Sequence, residues 1–212
     1  MADFDFRGAR GSGQGDDFHE LWALRHALEL LLSDCPNTAM TVEGLRPEDE
    51  QGNPADTWDG VDCGFYRGGA TLADATGITI DQLKHSGSDP DTNWTISRLT
   101  NSTTKTKNNS VIRKLATAFH AIDATRPDLL DNATLSVRLI SNQPVSPIVL
   151  EALAGVDTRK AQLKKLEVAS GLTSAQFGRF RRALDLSQCG KTSLMALEEN
   201  AIKTISAWTD DN

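Results

Sequence analysis

Three short runs of strand-like residues follow one another between residues 38 and 86, and this succession is the feature that most constrains the fold. The runs cover residues 38–45, 58–66 and 78–86. The second and third are bounded by glycines, and an acidic loop with two prolines precedes the second, as is typical of consecutive strands. The sequence therefore predicts a β-meander.

Helical patterns lie on both sides of this meander. Apolar residues recur at helical spacing in residues 15–32 and again in residues 110–122, whereas residues 135–139 alternate as a fourth strand. The polar segment 87–109 is expected to contain one short helix around residues 94–99. Beyond residue 146 the pattern is helical throughout, over residues 148–154, 160–170, 175–185 and 192–208. The predicted order is α-β-β-β-α-β followed by helices, which places the chain in the α/β class.

A length of 212 residues suits one principal domain with an appendage. We expect a flexible N-terminus over residues 1–14, a core over residues 15–145 and a helical extension over residues 146–212. The extension could lead to a sensor or NTPase domain. A capping box, Thr173-x-x-Gln176, predicts the start of one of its helices.

The apolar residues are distributed as in a protein that does not enter a membrane. No run approaches the roughly 18 apolar residues of a membrane span. The N-terminus has no apolar signal core, so we expect a cytoplasmic protein. Cys35, Cys63 and Cys189 are odd in number and widely spaced, which predicts free buried thiols rather than zinc ligands.

Two neighbouring strand runs bring together side chains that suit metal and phosphate chemistry. Gln82 and Lys84 are two residues apart, so a strand directs both to the same face. Asp62 lies in the preceding run with Gly60 and Gly64 on either side, which leaves that face open. A carboxylate and an amide oxygen are ligands that Mg²⁺ accepts, and Lys84 could orient or deprotonate an attacking water.

The acidic and basic residues next to this set have other expected roles. Asp59 is an odd number of residues from Asp62, and Asp81 is adjacent to Gln82, so a strand directs each to the other face. We therefore expect Asp59 and Asp81 to be structural or to face solvent. By the same parity, Val61 should share a face with Cys63 and Phe65. His85 follows Lys84 on the opposite face, where a structural role is expected.

The motif that ends at Asp62, WDGVD, followed after 19 residues by Gln82-Leu83-Lys84, resembles the D-x(n)-QxK variant of the PD-(D/E)xK nucleases, as in Mrr-like enzymes. The opening GDDFHELWALRHALELL and the later LISNQPV are similar as well. Together these segments look most like the nuclease effector domains of bacterial antiphage defence, both those of cyclic-oligonucleotide (CBASS) systems and those fused to STAND NTPases. The resemblance covers about residues 15–145.

The resemblance implies a restriction-endonuclease-like αβββαβ core with a central mixed sheet. It also implies a Mg²⁺-dependent endonuclease that cleaves double-stranded DNA, with Mn²⁺ as a substitute ion and control by oligomerisation or by a sensor or NTPase domain. Asp62, Gln82 and Lys84 would be catalytic, and the metal would be bound by Asp62, Gln82 and the backbone carbonyl of Leu83. Further contributors could be His19 and Glu20 in the first helix, where relatives often have Glu or Gln, and Glu43 in the first strand.

Charge is distributed unevenly along a chain whose net charge is -7. Residues 1–83 contain 5 Lys and Arg against 16 Asp and Glu, whereas residues 84–114 contain 6 against 2. Because phosphate is neutralised by local positive charge, an acidic protein can still bind DNA along one basic edge. The candidate DNA contacts are Arg98, Lys105, Lys107, Arg113 and Lys114, and a solvated surface would show the same pattern.

Two other functions remain open at this point. A nuclease fold can bind DNA or a protein partner without cutting, and the motif does not distinguish double-stranded DNA from RNA or single strands. The acidic net charge weakens the nuclease hypothesis without excluding it.

Overall fold

The computed structural model describes residues 13–102 and 109–210. These residues form an α/β structure around a mixed sheet of five strands in the order β1-β2-β3-β4-β5. The strands are β1 (Ala39–Val42), β2 (Cys63–Arg67), β3 (Gly77–Lys84), β4 (Leu135–Ser141) and β5 (Leu184–Asp185). The first three pair antiparallel, and β4 and β5 extend the sheet in parallel. The predicted meander and mixed sheet are confirmed.

Helices cover both faces of this sheet. In chain order they are α1 (Gly13–Glu29), α2 (Pro47–Glu50), α3 (Ile96–Thr100), α4 (Val111–Thr125), α5 (Pro127–Asp131), α6 (Pro147–Ala154), α7 (Lys160–Ser170), α8 (Ser174–Ala183) and α9 (Leu194–Asp210). The predicted α-β-β-β-α-β order is therefore present, with short helices inserted. Within the two described ranges, no helix is both long enough and apolar enough to cross a bilayer.

Several boundaries differ from the predicted ones for local reasons. The second strand begins at Cys63 rather than at residue 58, because Ala55–Trp58 form a 3-10 turn that is followed by a hydrogen bond from the Val61 N–H to the Trp58 carbonyl, 2.9 Å. The first strand ends at Val42 because Glu43 has a φ of 56° and the next residue is a glycine with positive φ. Most of the N-terminus predicted to be flexible lies outside the described residues, and its last two positions belong to α1.

The C-terminal extension forms the helices that the sequence predicts, and it also contributes to the sheet. The capping box is confirmed, since the Thr173 side chain accepts from the Gln176 N–H and the Gln176 side chain accepts from the Thr173 N–H. Leu184 and Asp185, predicted as the end of a helix, pair instead with β4 as a short edge strand. Residues of α7 and α8 are buried in the same apolar cluster as those of α4.

Two apolar clusters lie on opposite faces of the sheet. The cluster beneath α1 and α9 contains Phe18, Trp22, Cys63, Phe65, Leu83, Ile140 and Leu197. The larger cluster joins α4, α7 and α8 to the other face and includes Tyr66, Ile78, Ile80, Val137 and Leu139. Val61 belongs to this larger cluster, so its predicted place beside Cys63 and Phe65 is wrong; strand pairing, and with it the alternation, begins only at Cys63.

A buried ion pair connects β3, β4 and α1 on the α1 face. Asp81 accepts from Arg138 Nε at 2.6 Å and from Arg138 Nη2 at 2.7 Å, and also from Trp22 Nε1 at 3.0 Å. Burial raises the pKa of the Asp81 carboxyl, and the bonds from Arg138 oppose that shift. The predicted structural role of Asp81 is confirmed, because these bonds fix the β3–β4 register and the position of α1. Asp59, by contrast, is exposed, as the same prediction allowed.

Candidate active site

Backbone pairing places Asp62 at the point where β2 begins. Its N–H donates to the Asp81 carbonyl, 2.8 Å, and its carbonyl accepts from the Glu43 N–H, 2.9 Å. Its carboxylate extends along β3, where Oδ2 accepts from the Leu83 N–H at 2.6 Å. The carboxylate therefore lies beside the backbone of β3 at Leu83, the residue between Gln82 and Lys84. The convergence of the three side chains stays a prediction.

The burial of Gln82 is the least expected feature of this edge. The residue is 1% exposed and shares the β3 face of Ile80, which is buried in the larger apolar cluster. Its Oε1 atom is buried and has no hydrogen-bond partner. Leaving such an acceptor unsatisfied costs about 1–3 kcal/mol. A ligand that bonds to Oε1 would remove this cost.

Lys84 ends β3 and is half-buried opposite Ser141 of β4. Burial lowers the pKa of its ammonium, the charge of Lys114 lowers it further, and the negative charge of Asp62 opposes the shift. A lysine in this environment loses its proton more readily than one in solvent. Lys84 therefore suits the acceptance of a proton as well as the binding of an anion.

The donor set of this edge fits Mg²⁺. A carboxylate has about four lone-pair sites, so the single bond from Leu83 leaves Asp62 able to bind a cation. The unpartnered Gln82 Oε1 is a second oxygen of the kind that Mg²⁺ accepts. In the described part of the chain, no group of three or more His, Cys, Asp or Glu residues could hold a metal ion. A metal at Asp62 and Gln82 would thus retain several waters, as Mg²⁺ commonly does.

The expected contribution of the Leu83 carbonyl remains a prediction. The Leu83 group that contacts Asp62 is its backbone N–H, whose nitrogen lies 2.6 Å from Asp62 Oδ2. The Leu83 side chain is buried in the cluster beneath α1, on the face opposite Gln82. Leu83 therefore holds the carboxylate in place through its backbone.

The further contributors predicted in the first helix belong to α1, which packs on the face of the sheet opposite Gln82. His19 is half-buried, and its charge contributes to lowering the pKa of His85, although burial of His85 is the larger cause. The His85 ring packs against Phe18, with the centroids 5.1 Å apart, which agrees with the structural role predicted for it. Glu20 is exposed on α1.

Glu43 follows the last residue of β1 and lies across from Asp62. Its backbone N–H donates to the Asp62 carbonyl, and its side chain is exposed. Its positive φ of 56° turns the chain at this point, so the residue contributes to the position of Asp62 through the backbone. A direct role of its carboxylate stays a prediction.

The described basic residues predicted to contact DNA, Arg98, Arg113 and Lys114, each donate to a different part of the fold. The Arg98 guanidinium donates to the carbonyls of Thr92 and Asn93 and to Gln143 Oε1, and it stacks over Trp94, 4.3 Å from the ring centroid. These contacts connect α3 to the segment after β4. Arg98 is therefore held by the fold itself.

The other members of the basic set differ from one another. Arg113 Nη1 donates to the Ser170 carbonyl, 2.8 Å, at the C-terminal end of α7. Lys105 and Lys107 lie outside the described residues. Lys114 Nζ donates to the Asp59 carbonyl, 3.3 Å, and its charge acts on Lys84. Among the basic residues of this set that the structure describes, Lys114 is the one whose charge acts on Lys84.

The sequence thus marks Lys114 as one of a set of basic residues but does not show that it lies near Lys84. Its neighbourhood depends on Gly60, where α4 approaches the segment before Asp62, and a single glycine is a weak signal for such an approach. The function has to be inferred from this geometry, because the chain matches no protein-family model and no curated protein sequence.

Proposed function

We propose that the chain is a metal-dependent endonuclease of the restriction-endonuclease-like, D-QxK type, which hydrolyses phosphodiester bonds of double-stranded DNA. One observation carries the proposal: the Asp62 carboxylate is held on the backbone of β3 between a buried Gln82 with an unpartnered oxygen and a lysine with a lowered pKa. The α-β-β-β-α-β order around a mixed sheet supports it.

The reaction needs a water oxygen to bond to phosphorus while a phosphorus–oxygen ester bond breaks. When bound at Asp62 and Gln82, Mg²⁺ would supply positive charge that polarises the phosphoryl group. Lys84, as an ammonium, would orient the attacking water against the phosphate. The proton of that water would pass to solvent, and the leaving oxygen would be protonated from solvent. The hydrogen bond from Leu83 keeps Asp62 in a fixed position, so little reorganisation is needed when charge develops.

The proposal includes the setting in which such a nuclease would act. We propose a cytoplasmic effector of antiphage defence that is active as a homo-oligomer, gathered by a sensor or NTPase domain. A domain with a net charge of -7 is repelled by most of a DNA duplex, so its own affinity should be modest. Juxtaposing several copies would convert weak contacts into avid binding.

Plasmid cleavage tests the proposed activity. The purified chain should nick and then linearise supercoiled plasmid in Mg²⁺ or Mn²⁺, and EDTA should abolish the reaction. Lys84→Ala should be inactive while keeping its fold, because the side chain is only half-buried and lies at the end of a strand. Wild-type nicking by this variant would remove Lys84 from the site.

The same assay separates the alternative functions. A folded chain that binds plasmid without cutting it in either metal would be a DNA-binding module with a nuclease fold. Cleavage of RNA or single-stranded DNA in preference to the duplex would retain the active site but change the substrate.

A further inference from the structure

Lys114 of α4 is pressed against the segment that leads to Asp62. A Cβ atom placed on Gly60 would lie 2.7 Å from Lys114 Cβ and 3.0 Å from the Lys114 backbone carbon. Real Cβ atoms do not approach other atoms so closely, so glycine at position 60 permits this contact. The Nζ atom of Lys114 then donates to the Asp59 carbonyl, 3.3 Å. The ammonium is thereby tethered two to three residues before the carboxylate of the site.

Lys84 and Lys114 lie close together without an ion-pair partner among the described residues. Lys114 and Lys84 are both half-buried and close enough for the charge of one to lower the pKa of the other. Asp62 is the acidic group that acts on Lys84 in the opposite sense. None of the ion pairs formed among the described residues includes either lysine. Lys84 is thus subject to the charge of a second ammonium as well as to that of one carboxylate, in a chain that is acidic as a whole.

We propose that Lys114 is a second phosphate-binding lysine of the active site, and that with Lys84 it clamps the phosphate that is cleaved. An anion between the two ammoniums would relieve their repulsion. A cation at Asp62 and Gln82 would add to the positive charge and so increase the need for that anion. The inference rests on the proposed function and adds to it a residue from α4, the helix on the Gln82 side of the sheet.

Three roles of Lys114 predict different kinetics. A structural tether to Asp59 would affect stability alone. A contact to a phosphate remote from the cleaved bond would affect DNA affinity and leave the saturated rate unchanged. A contact to the cleaved phosphate strengthens as charge builds in the transition state, so its loss lowers the rate at saturating DNA as well.

Lys114→Met removes the charge and keeps much of the side-chain length, whereas Lys114→Arg keeps the charge. Lys203→Met is the matched control, because it changes net charge equally on α9, across the sheet. Each full-length variant is assayed for single-turnover cleavage at saturating DNA, and for DNA affinity without metal across a salt series. Urea unfolding reports on the fold.

We expect Lys114→Met to lower the saturated rate by about 10²-fold, and its salt slope to fall by about 0.9. Lys114→Arg should remain within about tenfold of wild type because a guanidinium also binds phosphate oxygens. Lys203→Met should match wild type in both measurements. If Lys114→Met does not fold, Lys114→Gln replaces it with the same expected losses.

A saturated rate for Lys114→Met equal to that of wild type would overturn the clamp while leaving the proposed nuclease intact. Equal losses in Lys114→Met and Lys114→Arg would also overturn it, since charge would then not matter. If the wild-type chain binds DNA but does not cut, the proposed hydrolysis fails. The salt slope would then still decide whether Lys114 binds phosphate, and an unchanged slope would overturn that as well.

Discussion

Replacing Gln82 by methionine should stabilise the protein and abolish its activity. Gln82 is 1% exposed, yet its Oε1 has no hydrogen-bond partner. Methionine has a similar volume, and its flexible apolar chain adapts to the surrounding cluster. The substitution therefore removes a buried polar oxygen without leaving a cavity.

The expected magnitude follows from two opposing contributions. Removing an unsatisfied buried acceptor gains about 1–3 kcal/mol in the free energy of unfolding. Repacking a volume-conserving substitution costs less than about 1.5 kcal/mol. The net effect is a stabilisation of about 1 kcal/mol, which raises the melting temperature by about 2–4 °C in a chain of this size. Cleavage should be lost because the metal site then retains Asp62 but no amide oxygen.

Calorimetry in EDTA and plasmid cleavage in Mg²⁺ measure the two effects separately. Asp81→Asn is the matched control, since Asp81 is the adjacent residue on β3, is 0% exposed and accepts bonds from Arg138 and Trp22. It should lose about 3 kcal/mol, because Arg138 is left without its charged partner. A destabilisation of Gln82→Met by more than about 1 kcal/mol would contradict this prediction, since it would mean that the amide has structural partners.

The remaining predictions concern the approach of α4 and the control of activity. Gly60→Ala should lower the free energy of unfolding by about 1–3 kcal/mol through overpacking against Lys114, and should also slow cleavage. Gly178→Ala should not destabilise α8, because the added Cβ meets nothing within 4 Å. Equal unfolding midpoints in urea for the two variants would contradict this. Specific cleavage activity should rise faster than linearly across an enzyme dilution series, and forced dimerisation should raise it at low concentration. Constant specific activity in both formats would exclude control by juxtaposition.

The strands that position the site are predictable from the sequence because their two faces meet different environments. Ile78 and Ile80 alternate with polar residues, and that period fixes the shared face of Gln82 and Lys84. Pairing of β2 with β3 in antiparallel register then brings Asp62 to the same end. Asp62 could be placed together with Gln82 and Lys84 as a prediction from this periodicity and from the resemblance.

The wrongly predicted boundaries of strands and helices depend on interactions that the periodicity of apolar residues does not indicate. The second strand was predicted to begin at Trp58, where a 3-10 turn ends instead. A buried tryptophan is as compatible with a strand as with a turn, so the sequence did not reveal this. The two-residue strand Leu184–Asp185 is too short to show alternation and forms because β4 offers a free edge. The helix Pro127–Asp131 was also missed, since one turn carries no detectable period.

The charge pattern of the sequence identified a cluster of basic residues but did not show where their side chains lie in the structure. The five basic residues between positions 98 and 114 share a sign, yet Arg98 and Arg113 donate to acceptors of the fold itself. Only the tertiary structure shows which carbonyls a guanidinium can reach. Lys114 also donates to a carbonyl, that of Asp59, but its stem packs on Gly60 and its charge acts on Lys84.

The contrast between Asp81 and Gln82 is the strongest argument that this edge of the sheet binds a ligand. Both residues are fully buried on β3, on opposite faces, yet Asp81 has partners for its carboxylate whereas Gln82 Oε1 has none. Other buried atoms without partners, such as Trp58 Nε1 and Trp94 Nε1, belong to large aromatic side chains whose apolar burial offsets the lost bond. Gln162 Oε1 also lacks a partner, but Gln162 is only half-buried, whereas Gln82 is 1% exposed and lacks the apolar area of a tryptophan. Folding alone would be served better by an apolar residue at this position, so the amide oxygen is best explained by a partner that the protein itself does not supply.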